Sequence, residues 1–582
     1  MQSTIGSINL DSLFQALWQA QQDYLTEAAR RAGVLGDSVS KNPAIESGRL
    51  LLDLYRLNAG KVAGIEGEYI EKQFALWSSM WMKNTAGSVV DTQKGDRRFD
   101  AQEWKDYPLF DYIKQSYLLA SDALLQVIDS ANMDEKDKEE VAFVARHFLD
   151  AMSPANYALS NPEVLKLAIE TKGQSLVSGL KMMAEDIGKG YLSISDEAAF
   201  EVGENLANTP GMVVYENELI QLIQYRATTE KVHAVPLVIV PSVVNKFYIL
   251  DLAPESSFVR YYVSQGYTVF IVSWRNTSPA SQHLTWDDYV EKGVIAAIEV
   301  ASEITKQKKV NALGYCVGGS LLACALAVLA SKGKYPVASM TLLIAMLDYA
   351  NPGEIGVYLR NAFLDQRLKA LSQGGVVSGK ELSRAFASLR ANDLVWSFVI
   401  NNYLKGQKPQ AFDLLYWNSD DSNLPGPMFS SYLRDCYAEN KLVQPGAMTV
   451  CGEPVDLDLI DVPTYVFNAS EDHLVPWKSG YESVKLSRGK VEFVLGGGGH
   501  ITGPVNPFSR NKRNYWVDGD VGGSADEWLA SAQSMPGSWW PHYAAWLKGH
   551  SGKEVSAPEN VGNGKYQEIE AAPGRYVKER EI

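Results

Sequence analysis

The segment from Val310 to Ala330 constrains the fold of this chain more than any other. An apolar run, Val310 to Leu313, feeds into Gly314-Tyr315-Cys316-Val317-Gly318-Gly319, and a long apolar helix pattern, Ser320 to Ala330, leaves it. That order spells a strand, a sharp turn and a helix, with a cysteine at the apex. Small residues on either side permit a strained turn and a close strand–helix approach, so the Sγ stands clear of the backbone above the carboxyl edge of a sheet. The spacing is that of a G-x-nucleophile-x-G elbow with a thiol where a serine is usual. Read alone, the hexapeptide also fits a buried cysteine in an ordinary strand-to-helix loop, because free cysteine is among the most buried residue types.

Two loops nearer the carboxyl terminus decide between these readings. Val462 to Asn468 reads as a short buried strand that runs into Ser470-Glu471-Asp472-His473, and Val491 to Leu495 as a second that runs into Gly496-Gly497-Gly498-Gly499-His500. An acid and then a histidine, each just past the carboxyl end of a strand and both after the nucleophile, is the order of the α/β-hydrolase fold. The chain has only seven histidines, so one at each of these loops carries weight. The reading assigns Cys316, Asp472 and His500 as the catalytic set. Asp348, ending the apolar run Met340 to Leu347, is the runner-up acid, and His473 reads as a packing or hydrogen-bonding neighbour. A tetrahedral oxyanion needs two donors, read as the Val317 N–H and one N–H near Val243 or Val244, with Val244 taken for the site. The alternative is that Ser242-Val243-Val244 simply continues the core.

The rest of the chain supports an α/β architecture. Residues 1 to about 195 read as a mostly helical domain, with amphipathic stripes at Ser12 to Trp18 and at Glu66 to Met82, where Ile70, Phe74, Leu76, Trp77 and Trp81 recur. The bland meaning of such stripes is helix packing; the sharper one is adhesion to something apolar. From 196 to 582 the pattern is that of a catalytic domain. Strand-like runs at Met212 to Tyr215, Leu219 to Tyr225, Leu237 to Val240, Tyr267 to Trp274 and Asn311 to Tyr315 alternate with helix patterns at Ser257 to Ser264 and Trp286 to Thr305. Such alternation predicts a mostly parallel sheet covered on both faces. The rhythm breaks at about 349–442, where aromatics crowd the sequence, and an inserted cap is expected there; after about Pro558 the chain reads as a polar tail.

Composition narrows the function. A formal net charge of −15 argues against a nucleic-acid partner. Four cysteines, Cys316, Cys324, Cys436 and Cys451, without CxxC spacing, fit a reduced cytosolic protein with neither disulfide framework nor zinc site. The last three read as structural thiols. The amino terminus lacks the pattern of a signal peptide, and no run is long enough to cross a membrane, so a soluble cytoplasmic protein is expected.

Further motifs are Asp96-Arg97-Arg98-Phe99 with Trp104, Gln115-Ser116-Tyr117-Leu118-Leu119, Asn245 to Asp251, Val272-Ser273-Trp274-Arg275-Asn276, Asn402-Tyr403-Leu404-Lys405-Gly406, Trp417-Asn418-Ser419-Asp420, Glu471-Asp472-His473, Gly499-His500-Ile501 and Gly537-Ser538-Trp539-Trp540-Pro541. With these and the Cys316 elbow, the chain resembles the poly(3-hydroxyalkanoate) synthases, most closely class I, over nearly all its length after the first hundred residues. The resemblance implies polymerisation of short-chain (R)-3-hydroxyacyl-CoA, 3-hydroxybutyryl-CoA above all, with release of CoA. It places nucleophile, acid and base on Cys316, Asp472 and His500, and implies a homodimer, no metal or other cofactor, and a cytoplasmic location at the surface of the nascent polyester granule. A four-glycine run precedes His500 where a serine is commoner before Gly-His. Arg510, Lys512 and Arg513 could meet the CoA phosphates, though a solvated basic cluster is the default; Asp420 and Asp421 read as shaping a cap turn. The rival from another reaction class is a thioesterase or polyester depolymerase on the same triad, and a granule-coating structural protein is the non-enzymatic one.

Overall fold

In a computed structural model of the chain, residues 59–82, 88–93, 95–358 and 362–580 are described. Two compact units divide between Pro154 and Ala155. Helical structure continues past that point to Ala199, as the sequence reading to about residue 195 expects, but helices Pro162–Glu170 and Gln174–Lys189 belong to the second unit. Gly179 explains the grouping: a Cβ there would run into the Tyr403 carbonyl, so the helix lies directly on the backbone of the Val399–Leu404 turn.

The first unit is built on helices Ala59–Met82, Pro108–Asp129 and Glu135–Met152. The second starts with proline at its first turn, where no backbone donor is lost, and the third is capped by the Asp134 carboxylate accepting from Lys136 N. Phe99 and Trp104 meet edge to face at 4.9 Å, and Arg98 donates to Asp96 and to the Tyr117 hydroxyl, each at 2.9 Å. The Asp-Arg-Arg-Phe motif is thus a structural knot of this unit. Of the Glu66 to Met82 stripe, Leu76 is buried while Ile70, Phe74 and Trp77 are exposed. The Ser12 to Trp18 stripe lies outside the described residues.

The second unit holds an eleven-stranded sheet. Its centre is parallel, in the spatial order Val269–Trp274, Leu237–Val240, Val310–Tyr315, Val337–Leu343, Thr464–Ala469, Val491–Gly496. Antiparallel strands extend both sides: Ile220–Tyr225 and Gly211–Glu216 on one, Asn514–Val517 and Gln533–Pro536 on the other. Alternate residues of one strand enter opposite cores, Leu237 and Ile239 on one face and Val238 and Val240 on the other, so both faces are covered. This is the α/β-hydrolase architecture that the sequence predicts.

The segment after Pro558 differs from the polar tail expected of it. Glu570–Ala571 pairs with Met212 and Val213 and covers a sheet edge, and Tyr576 and Val577 are buried. Between Leu343 and Thr464 the chain leaves the sheet for short helices, a two-residue ribbon of Val376–Val377 against Leu424–Pro425, and π-helical turns at Asn392–Trp396, Val399–Leu404 and Tyr432–Ala438.

Candidate active site

Cys316 sits between strand Val310–Tyr315 and helix Val317–Ser331 with φ 53° and ψ −126°, a conformation costly for a side-chain-bearing residue. The surroundings hold it there. Cys316 N donates to Leu343 O at 2.9 Å, and Gly319 N to Cys316 O at 2.8 Å. A Cβ on Gly314 would stand 2.5 Å from the Gly319 Cα, and one on Gly318 would collide with the Val240 carbonyl oxygen. The flanking glycines therefore let the helix start almost on top of two strand ends, which exposes the thiol at the turn.

Asp472 and His500 emerge from the ends of strands Thr464–Ala469 and Val491–Gly496, which are neighbours in the sheet and lie beyond Val337–Leu343 from the elbow strand. His500 Nδ1 donates to Asp472 Oδ2 at 2.7 Å, and both side chains are buried. The other carboxylate oxygen accepts from Leu474 N and Val475 N at 2.8 and 2.9 Å, so the acid is fixed before the imidazole meets it. Burial alone would lower the His500 pKa. The Asp472 charge and hydrogen bond outweigh it, Cys316 adds a hydrogen bond of its own, and the imidazole rises to about 10. The three residues drawn from sequence order are thus brought together, with the histidine between acid and thiol.

The other thiols contrast with this. Burial pushes Cys324 and Cys451 up to about 12 and Cys436 well above the ordinary thiol range, so all three stay protonated. Asp348 is engaged elsewhere, accepting from Ala350 N at 2.9 Å and from Asn440 Nδ2 at 2.8 Å. His473 is lowered to about 4, chiefly by burial and then by Arg390. Val317 N opens the elbow helix, whereas Val244 N donates to Ser242 Oγ at 3.2 Å. Asp420 accepts from Lys246 Nζ and from the Tyr248 hydroxyl, each at 2.8 Å, and ties the insertion to the loop after Leu237–Val240. Arg513 donates to Gly497 O at 3.4 Å, bracing the glycine run before His500.

Sequence does not single out Tyr349, Tyr432 and Tyr437, whose rings pack against one another in the insertion. Their only sequence signal is the aromatic richness of the insertion. Among the described residues no helix is long and apolar enough to cross a membrane, and no cluster of His, Cys, Asp and Glu could hold a metal ion.

Comparisons with known proteins give the family and the fold. Residues 95–262 match the family described as "Poly-beta-hydroxybutyrate polymerase (PhaC) N-terminus", and residues 236–507 match "alpha/beta hydrolase fold". The chain is 46% identical to the poly(3-hydroxyalkanoate) polymerase subunit PhaC of Cupriavidus necator over 529 residues, covering 90% of this chain and 89% of that one. It is 36% identical to the subunit of the same name from Rhizobium meliloti over 584 residues, 99% and 95% of the two chains. Among solved structures it resembles a monoacylglycerol lipase of Paleococcus ferrophilus, at 13% identity and TM-score 0.32, over 56% of this chain and 99% of that one. An identity of nearly one half along nine-tenths of both sequences leaves one conclusion: this chain belongs to the poly(3-hydroxyalkanoate) polymerases, acyltransferases carried on an α/β-hydrolase fold.

Proposed function

We propose that the chain is a class I polymerase that takes short (R)-3-hydroxyacyl-CoA, 3-hydroxybutyryl-CoA foremost, and lengthens a polyester through an acyl thioester on Cys316. The observation that carries this reading is the contrast among the four thiols: three are held protonated by burial, while Cys316 occupies a strained apex beside an imidazole raised to about 10. The thiolate is the nucleophile in such chemistry, and His500 is the group placed to take the thiol proton.

In the first step the Cys316 thiolate attacks the thioester carbonyl. The C–S bond to CoA breaks, and the departing CoA sulfur takes the proton from His500. Thioester replaces thioester, so the driving force survives for the ester-forming step; a serine ester would have given it away. In the second step a 3-hydroxyl gives its proton to His500 and its oxygen attacks the Cys316-bound carbonyl, forming the ester and returning the thiolate. Asp472 holds the His500 tautomer and stabilises the imidazolium. The oxyanion is met by the Val317 N–H and by the Val243–Val244 loop, where Val244 gives up its bond to Ser242 Oγ to serve.

One polypeptide type working as a homodimer, with no metal or redox cofactor, completes the class I reading, and the enzyme works in the cytoplasm at the surface of its own product granule. The test is to incubate the purified chain alone with (R)-3-hydroxybutyryl-CoA and to follow CoA, insoluble polyester and free 3-hydroxybutyrate together. CoA should appear in step with polyester. Free 3-hydroxybutyrate as the main product would make the chain a hydrolase, and an absolute need for a second kind of subunit would reject class I.

A further inference from the structure

The loop that follows strand Leu237–Val240 hangs between two anchors of different origin. At its start, Pro241 O accepts from Trp274 Nε1 at 3.0 Å and lies against the elbow helix, where a Cβ on Gly318 would stand 2.7 Å from it. That anchor belongs to the sheet and the elbow. At its end, Asn245 forms a β-bridge with Asp421, and Lys246 O accepts from Trp417 Nε1 at 2.8 Å. The Lys246 ammonium crosses the same junction, donating to Asp420 Oδ1 at 2.8 Å and to Glu579 O at 2.9 Å. The second anchor is thus made by the insertion and the carboxyl-terminal segment.

Stability does not account for the second anchor. The Lys246 and Asp420 side chains are only 5% and 8% exposed, and an ion pair buried this deeply gives little over an apolar pair of the same volume. What the pair supplies is a fixed place. The other Asp420 oxygen accepts from the Tyr248 hydroxyl at 2.8 Å, so the carboxylate is held at both oxygens. The Glu579 carbonyl is held in turn, because Arg275 Nε donates to the Glu579 carboxylate at 3.2 Å and Arg580 donates to the Tyr416 hydroxyl at 2.8 Å. Fixing a register is the best-attested use of such a buried pair. Ser242, Val243 and Val244 span the gap between the anchors, and so short a span leaves its N–H groups little freedom once both ends are set.

Resting on the function proposed above, we infer that Lys246 is a positioning residue of the acylation step: its ion pair with Asp420 fixes the far end of the loop and so sets where the Val243 and Val244 N–H groups stand for the oxyanion. Lys246 touches no reacting atom in this role. It works through the backbone just before it, and it makes oxyanion stabilisation depend on the insertion being seated against the loop.

Two reactions of the same thiol separate this role from a structural one. Acylation by a thioester passes through an oxyanion. Alkylation by iodoacetamide joins the Cys316 sulfur to a methylene carbon, expels iodide and forms no oxyanion. The experiment compares single-turnover CoA release from (R)-3-hydroxybutyryl-CoA with the rate of alkylation of the Cys316 peptide, in the full-length parent, Lys246→Met, Asp420→Asn and the double variant. Each single change leaves a buried charge without its partner and should lower the melting midpoint; the double variant buries neither charge and should recover most of it. Acylation should fall roughly 10- to 100-fold in all three, and no further in the double variant than in the worse single one, while alkylation stays within about two-fold of the parent. If a single variant does not fold, the double variant decides. Equal slowing of acylation and alkylation would mean a structural role only and would overturn the inference, as would acylation at the parent rate in the double variant. A parent that is alkylated at Cys316 but releases no CoA from (R)-3-hydroxybutyryl-CoA would instead overturn the function reading and this inference with it.

Discussion

The sheet and the insertion build their shares of the site by different physical rules. In the sheet, position follows from period: apolar residues alternate between two cores, each strand ends in a short loop, and the loops after Val310–Tyr315, Thr464–Ala469 and Val491–Gly496 present Cys316, Asp472 and His500. In the insertion, position follows from contact: Tyr349, Tyr432 and Tyr437 pack ring against ring because a π-helical turn, Asn440 and the Tyr349 loop hold one another. The difference teaches that the sheet's share of the site depends on local backbone geometry, and the insertion's share on a web of side chains. Substitutions in the sheet's share should therefore act on chemistry first, and those in the insertion on local order.

The largest effect is expected at the apex. Cys316→Ala should abolish CoA release while leaving the melting midpoint near that of the parent, and Cys324→Ser, Cys436→Ser and Cys451→Ser should each keep substantial activity. An active Cys316→Ala protein would break the assignment of chemistry to the sheet.

His500→Ala comes next, with acylation down roughly 10²–10⁴-fold in a stopped CoA-release assay. Asp472→Asn should acylate slowly and elongate less, because the imidazole stays but loses its orienting charge. Its pH dependence is diagnostic. The raised His500 pKa contributes stability that is complete below the ordinary imidazole value of 6.5 and is lost as the pH rises through about 10. The denaturation midpoint of the parent should therefore fall across that window, and the gap between parent and Asp472→Asn should narrow as the pH rises. A gap that widens toward alkaline pH would contradict the pairing.

Gly318→Ala presses a methyl group into the Val240 carbonyl and should cost about 1–3 kcal/mol in denaturant unfolding together with a loss of acylation rate. The smallest change is expected from Asn440→Ala. It removes two hydrogen bonds, each worth about 1 kcal/mol, and should lower activity only a few-fold while loosening the Tyr349 loop to hydrogen exchange. If Asn440→Ala costs more activity than Gly318→Ala, the insertion does more of the chemistry than this division allows.

The same division explains what is legible in the sequence. The elbow, the acid loop and the histidine loop announce themselves because short-range pattern fixes strand ends, and the glycines around Cys316 are needed for local reasons. Asp348 is a reasonable rival acid by strand order, but only its bonds to Ala350 N and Asn440 show that it is occupied. The tail beyond Pro558 reads as polar because its pairing partner, Gly211–Glu216, lies more than three hundred residues earlier, and a two-residue strand carries no periodicity of its own. The ring triangle joins residues 349, 432 and 437, and nothing in their spacing encodes that contact.

The central claim is that growth passes through a thioester on Cys316. Its most direct measurement is the mass of the cysteine-bearing peptides after brief mixing with (R)-3-hydroxybutyryl-CoA, acid quench and proteolysis. The account predicts a ladder of 3-hydroxybutyryl increments on the Cys316 peptide alone, removed by hydroxylamine and missing in His500→Ala. Increments on Cys324, Cys436 or Cys451, or polymer formed with the Cys316 peptide unmodified at every time point, would contradict it.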